Sequence, residues 1–212
     1  MRTVIFAAGQ IRDYEAVRRH LGAVELVLCA DGGVRHALAL GLTPALMLGD
    51  FDSTDPALVA EMAARGIPIE RMPVEKDETD THLALAEAVR RGATEILLVG
   101  ASGDRVDHTV SNLLLLPGVP AHIAVTLVDE KNVVRVLRPG GRLTITGEPG
   151  EYLSLLPLSP EVTGVVAEGV KWPLNNATLR WGESLGVSNQ FVEAEAFVAT
   201  REGYLLVIRA RD

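Results

Sequence analysis

A change of period constrains this chain more than any other feature. Over residues 1 to about 137, short unbroken apolar runs alternate with segments of helical spacing, and beyond Pro139-Gly140-Gly141 the helical spacing stops. In the first stretch the apolar runs 3–7, 25–30, 45–48, 68–72, 96–99 and 123–128 predict strands. Between them Tyr14, Val17 and Leu21 recur at i, i+3 and i+7 ahead of Gly22, and Val34, Ala37 and Leu38 begin a short helix stopped by Gly41. Pro56 opens a helix ending near Gly66, Thr79 caps another closed by Gly92, and 106–116 predicts a fifth, broken by Pro117-Gly118. Strands that are apolar throughout need cover on both faces, so residues 1–138 predict a doubly wound, mostly parallel α/β sheet domain.

The remainder reads differently. Segments 142–146, 151–156, 163–167, 177–181, 190–195 and 204–209 are short, rich in Val, Leu, Thr and aromatics, and separated by Gly, Pro and Asn. That spacing predicts a C-terminal antiparallel β-sandwich or barrel over residues 139–212. Two domains suit a length of 212 residues, and a hydrophobic content of 48% supplies a core without staples.

Charge and cysteine count exclude whole classes. A formal net charge of −8 argues against a nucleic-acid partner, because phosphate backbones demand clustered Lys and Arg. The single cysteine, Cys29, permits no internal disulfide and no thiolate zinc cluster; set among apolar neighbours, it reads as a small buried hydrophobe. No run reaches the ~18 apolar residues of a membrane span. Charges interrupt the N-terminal apolar stretch too early for a signal peptide, so a cytoplasmic protein is expected.

The carboxylates carry the functional signal. In a doubly wound sheet, ligands bind outside the carboxyl ends of the strands. Four acidic pieces fall there: Asp31-Gly32-Gly33, then Gly49-Asp50-Phe51-Asp52-Ser53, then Asp77, Thr79 and Asp80 at a helix start, then Gly100-Ala101-Ser102-Gly103-Asp104-Arg105-Val106-Asp107-His108. Each alone could be a cap or a turn. Together at one sheet edge they would repel one another unless a cation sat among them, and an oxygen-only set with no thiolate or histidine pair points to Mg²⁺. Asp50 and Asp52 would share a side on an extended segment, or converge on one ion through a turn, with Phe51 pointing inward as an anchor. Glycines 32, 33, 100 and 103 allow close backbone approach to a polyphosphate, for which Lys76 and Arg105 are the natural cations. Neither a P-loop nor a G-x-G-x-x-G after the first strand is present. His20, His36 and His82 carry no partner signal, and Trp181 reads as a packing residue.

The order ADGG, GDFDS, KDETD and GASGDRVDHTVSN resembles the thiamine pyrophosphokinase family, and the C-terminal GVKWPL and SLGVSN segments extend the likeness over nearly the whole chain. Lys76 and Leu83 stand where some relatives have Gln and Lys, which matches the bacterial type. The resemblance implies that ATP donates a pyrophosphoryl group to the hydroxyethyl oxygen of thiamine, giving thiamine diphosphate and AMP. It implies Asp31, Asp50, Asp52 and Asp80 as the catalytic, Mg²⁺-linked carboxylates. Gly32, Gly33, Ser53, Lys76, Thr79, Ser102, Gly103, Arg105, Asp107, His108 and Asn112 would bind ATP, while Trp172, Ser188 and Asn189 would contact thiamine. It further implies a homodimer with the active site at the subunit interface. Two other readings stay open: a related pyrophosphokinase acting on a hydroxymethyl pterin, and a catalytically dead sensor of nucleotide or thiamine diphosphate.

Overall fold

The computed structural model describes residues 1–212 and divides them into two compact units, Met1–Glu130 and Lys131–Asp212. The first runs β1 (Arg2–Phe6), α1 (Tyr14–Leu21), β2 (Leu26–Ala30), α2 (Val34–Ala39), β3 (Leu46–Gly49), α3 (Pro56–Ala64), β4 (Ile69–Arg71), α4 (Asp80–Arg90), β5 (Glu95–Val99), α5 (Val106–Leu115) and β6 (Ala124–Val128). Its strands lie in the order β6-β5-β1-β2-β3-β4, and every pair is parallel. Order reverses between β1 and β5, so the crevice that such a sheet opens to ligands lies past Phe6 and Val99.

Burial explains the unbroken apolar runs. Val4, Ile5 and Phe6 of β1 and Ile96, Leu98 and Val99 of β5 are wholly buried, since helices cover both faces of a parallel sheet. Cys29 is buried in β2, and desolvation pushes its thiol far above the ordinary value, which makes it a packing residue. Caps set the helix starts: Asp13, Asp55 and Thr79 accept from Ala16, Ala57 and His82 backbone N–H groups respectively. No helix is long and apolar enough to cross a membrane.

The second unit contains β7 (Asn132–Leu137), β8 (Arg142–Thr146), β9 (Tyr152–Pro157), β10 (Glu161–Glu168), β11 (Leu174–Arg180), β12 (Asn189–Gln190), β13 (Glu195–Ala199) and β14 (Leu205–Ala210). One antiparallel set runs β12-β9-β14-β7, the other β11-β10-β13-β8. Leu153, Leu155, Leu205 and Val207 from the first set and Ile145, Val162, Val165, Leu179 and Val198 from the second share one core with Phe191. The fold is therefore α/β followed by a β-sandwich. Fully burying a ring such as that of Phe191 contributes on the order of 1.5–3 kcal/mol.

Two details differ from the sequence reading. Asn132–Leu137 forms β7, paired with β14, although it precedes the Pro139-Gly140-Gly141 break that was read as the domain start. The segment expected as one strand over 190–195 is instead the two-residue β12 and then β13. Phe191 turns into the core between them, and its backbone N–H bonds Glu151 O at 2.9 Å.

Candidate active site

The site begins where β1, β2 and β5 end. Ala8, Gly9 and Gln10 follow β1, Asp31 follows β2 and residues 100–105 follow β5; together with Thr79, Asp80, His108 and Asn112 they line a cleft of roughly 520 Å³. That is the size of an ordinary small-molecule pocket. Two close approaches pack the strand ends around it. A Cβ on Gly9 would overlap the carbonyl oxygens of Gly100 and Ser102, and one on Gly33 would overlap that of Phe6. Only glycine lets these segments meet.

Asp31 is buried in the turn after β2, and its carboxylate is already engaged: Oδ2 accepts from Ser53 Oγ at 2.6 Å and Oδ1 from Thr54 Oγ1 at 2.8 Å. This ties the 49–54 loop to the β2 end. Within the loop, Phe51 takes a left-handed backbone (φ 61°) and buries its ring beneath the Arg71 guanidinium, 5.4 Å from the centroid. Phe51 thus anchors the loop between Asp50 and the exposed Asp52.

Lys76 joins the next two carboxylates. Its Nζ lies 3.2 Å from Asp50 Oδ2 and 3.2 Å from Asp80 Oδ1, and it also donates to Pro73 O at 3.0 Å. The contact with Asp80 is an ion pair without hydrogen-bond alignment, so the buried Asp80 Oδ1 is left with no hydrogen bond. Burial raises the Asp80 pKa above the usual carboxylate value; Lys76 opposes this, and the charges of Asp50 and Asp31 add to it. Asp50 is held below that value, chiefly by the Asp52 N–H bonded to it at 3.1 Å and then by Lys76. Burial works against the Lys76 ammonium, but its contacts with the Asp80 and Asp50 carboxylates outweigh that and raise its pKa.

No three acidic, histidine or cysteine side chains converge on one point. Even so, the donor set suits a hard divalent cation. It is all oxygen, and one buried carboxylate oxygen, Asp80 Oδ1, lacks a hydrogen bond.

The β5–α5 loop supplies the other wall. Ser102 Oγ donates to Asp129 Oδ2 at 3.0 Å, Gly103 N–H to Thr109 Oγ1 at 3.3 Å, and the buried Asn112 amide to Ala101 O at 2.7 Å. Arg105 and Asp107 pair with each other in full solvent exposure, and that guanidinium holds Asp107 down to about 2. Of the residues read from sequence, Asp31, Ser53, Thr79, Asp80, Ser102, Gly103, Arg105, His108 and Asn112 line the cleft; Gly32, Gly33, Asp50, Asp52, Lys76 and Asp107 do not. Sequence reading missed Gln10 and Arg35, which do line it. The signal was present in the small residues directly after the first apolar run. His36, read as having no partner, is buried and hydrogen-bonded through both ring nitrogens.

In the second unit Trp172 is 54% exposed, with the Lys171 ammonium 4.7 Å from its ring centroid. Asn189 is buried and its amide bonds the Trp172 backbone at both ends. Oδ1 accepts from Trp172 N at 3.0 Å and Gln190 N at 2.9 Å, and Nδ2 donates to Trp172 O at 2.7 Å. Ser188 is exposed and takes a left-handed backbone, φ 57°. Trp181, expected in packing, is instead 62% exposed, its indole N–H reaching Pro157 O at 3.3 Å.

Residues 17–127 match the family described as "Thiamin pyrophosphokinase, catalytic domain", and residues 142–205 match "Thiamin pyrophosphokinase, vitamin B1 binding domain". A thiamine pyrophosphokinase of Bacillus subtilis is 31% identical over 183 residues, which is 86% of each chain. The crystal structure of the Bacillus subtilis thiamine pyrophosphokinase superimposes with a TM-score of 0.88 at 29% identity, covering 100% of both chains. That of the Geobacillus thermodenitrificans thiamin pyrophosphokinase gives 0.87 at 30% identity, covering 100% of this chain and 98% of the other. The yeast thiamin pyrophosphokinase shares the fold at 16% identity, with a TM-score of 0.79 over 99% of this chain and 86% of its own.

Proposed function

The chain belongs to the thiamine pyrophosphokinase family of transferases, and from that premise we propose that its first unit binds ATP in the β1–β5 cleft and moves the pyrophosphoryl group to thiamine, releasing AMP. The observation that carries this reading is the cleft itself. Two glycine-tight segments meet at the point where strand order reverses, which is where such a sheet takes a nucleotide, and the carboxylates of Asp31 and Asp80 line the cleft they form, Asp80 tied to Asp50 through Lys76.

The hydroxyethyl oxygen of thiamine attacks the β-phosphorus in line, a bond to phosphorus forms, and the bond to the AMP oxygen breaks. Such chemistry is mostly positioning and charge stabilisation. Asp50, Asp52 and Asp80, with Asp31 behind them, would hold Mg²⁺; when bound, that ion offsets negative charge on the polyphosphate. Asp80 is the carboxylate we assign to accept the hydroxyl proton, because burial makes it more basic than an ordinary aspartate. Lys76, held between Asp50 and Asp80, and Arg105, freed from Asp107, are the cations for phosphate oxygens. Ser53 and Thr79 brace the acidic loops, Gly32 and Gly33 the turn below them, and Asp107, His108 and Asn112 the β5–α5 wall.

The second unit recognises thiamine. Its cationic ring system suits the exposed Trp172 face, with Ser188 beside the segment that Asn189 braces. Asn189 acts through Trp172, whose backbone N–H and carbonyl it bonds. A homodimer and a cytoplasmic location complete the reading.

Incubation with ATP, Mg²⁺ and thiamine tests it: AMP and thiamine diphosphate should appear in equal amounts. AMP release with a hydroxymethyl pterin but not with thiamine would transfer the site to that substrate, and ATP binding without AMP would make the chain a sensor.

A further inference from the structure

Beneath the cleft lies a polar pair that the reaction scheme does not use. His36 on α2 is 2% exposed, yet both ring nitrogens are satisfied: Nδ1 meets Tyr14 Oη of α1 at 2.8 Å and Nε2 meets Gly9 O at 2.7 Å. A carbonyl oxygen can only accept, so Nε2 carries the hydrogen and Nδ1 accepts from the tyrosine hydroxyl. Burial lowers the His36 pKa, outweighing the Gly9 bond that favours the charged ring, with Arg35 lowering and Glu130 raising it further; the neutral ring fits this tautomer.

The bonded carbonyl is well placed. Gly9 O also accepts from Arg35 Nη2 at 3.3 Å, so two consecutive residues of α2 hold one oxygen. Gly9 N–H in turn donates to Gly100 O at 2.7 Å, locking together the two loops that line the cleft. No peptide in the chain is cis. In a trans peptide the carbonyl and the following N–H point in opposite directions. Holding Gly9 O inward therefore turns the Gln10 N–H away from His36, and that N–H makes no hydrogen bond within the chain although Gln10 lines the cleft.

We propose that Tyr14 and His36 are positioning residues that hold the Gly9 carbonyl inward and so aim the Gln10 amide N–H into the cleft as a donor to a phosphate oxygen of the nucleotide. This rests on the reading that the nucleotide occupies this cleft. Tyr14 fixes the ring's tautomer, His36 fixes the peptide plane, and Gln10 contributes only its main chain. A side-chain change at Gln10 should thus matter less than a change at the buried histidine.

Three variants, His36→Leu, His36→Gln and Tyr14→Phe, test the arrangement in the full chain. Losing one aimed hydrogen bond to a charged oxygen should raise the KM for ATP about tenfold in His36→Leu, with the KM for thiamine unchanged. His36→Gln, whose amide can still donate to Gly9 O, should stay within about threefold of the parent chain. Tyr14→Phe should fall between them, and it decides the matter should His36→Leu not fold. Amide NMR with ATP and Mg²⁺, without thiamine, gives a readout that needs no turnover. The Gln10 N–H resonance should shift downfield in the parent chain and in His36→Gln, shift less in Tyr14→Phe, and fail to shift in His36→Leu. An ATP KM within twofold of the parent in both His36→Leu and Tyr14→Phe would overturn the proposal, as would equal losses in His36→Leu and His36→Gln or an unmoved Gln10 resonance in the parent. A parent chain that shifts Gln10 on ATP but makes no AMP would sink the catalytic reading and leave the positioning device standing.

Discussion

At Lys76, burial and charge pull in opposite directions, and charge prevails because Asp50 and Asp80 both lie 3.2 Å away. The same ammonium restrains the rise of the Asp80 pKa. Turnover that needs Asp80 ionised falls as pH drops through that raised value. Lys76→Met removes the restraint, so the acid limb of the kcat profile should move to higher pH; an unmoved or lowered limb would take the proton-acceptor role from Asp80. Asp52 is the exposed carboxylate of the loop, free to reach a cation. Asp52→Asn should cut Mg²⁺-dependent turnover by at least about a hundredfold while leaving the KM for thiamine within about threefold, as measured by AMP release. Asn189 braces both backbone polar groups of Trp172. Asn189→Ala should raise the KM for thiamine about tenfold with that for ATP unchanged, the cost of an unbraced aromatic wall. If instead the ATP constant moved, the Trp172 segment would belong to the nucleotide side.

Elements meet here where side chains are missing. Gly33 opens α2 with its Cα against the Phe6 carbonyl at the end of β1. Gly33→Ala forces strand and helix apart and should cost about 1–3 kcal/mol in urea unfolding, as overpacking does; a neutral result would mean the β1–α2 junction yields freely. The stopping glycines and the Thr79 cap of α4 were legible in sequence, whereas the Asp13 and Asp55 caps of α1 and α3 came from the structure. β12 and β13 were not legible either. A strand's period of two cannot tell a continuous strand from a short one followed by a turn that swings Phe191 into the core.

For the whole molecule, the apolar residues Val106, Val110 and Leu114 recur every four positions along α5 and are exposed in the single chain. An apolar stripe of this kind is a common mark of an interface, and it accords with the proposed homodimer. Light scattering at assay concentration should give twice the mass of a 22.7 kDa chain, and Val110→Glu should shift it toward one. A monomer in both cases would remove the dimer from the proposal.

What the sequence determined by itself was whatever depends on local period and residue chemistry. Unbroken apolar runs between helices dictated a parallel sheet covered on both faces, and the shift to short Val- and Thr-rich segments dictated the sandwich. The acidic pieces fell at strand ends because the sheet's ligand edge is fixed by strand direction. Tertiary structure decided what depends on residues distant in the chain. It set Lys76 between Asp50 and Asp80, engaged both oxygens of Asp31 with Ser53 and Thr54, and spent the Asn189 amide on Trp172. It also gave His36 the two partners, Tyr14 and Gly9, that no spacing announced. A hydrogen bond needs its partners within about 3 Å in space. Chain order does not encode that proximity until the strands are laid side by side.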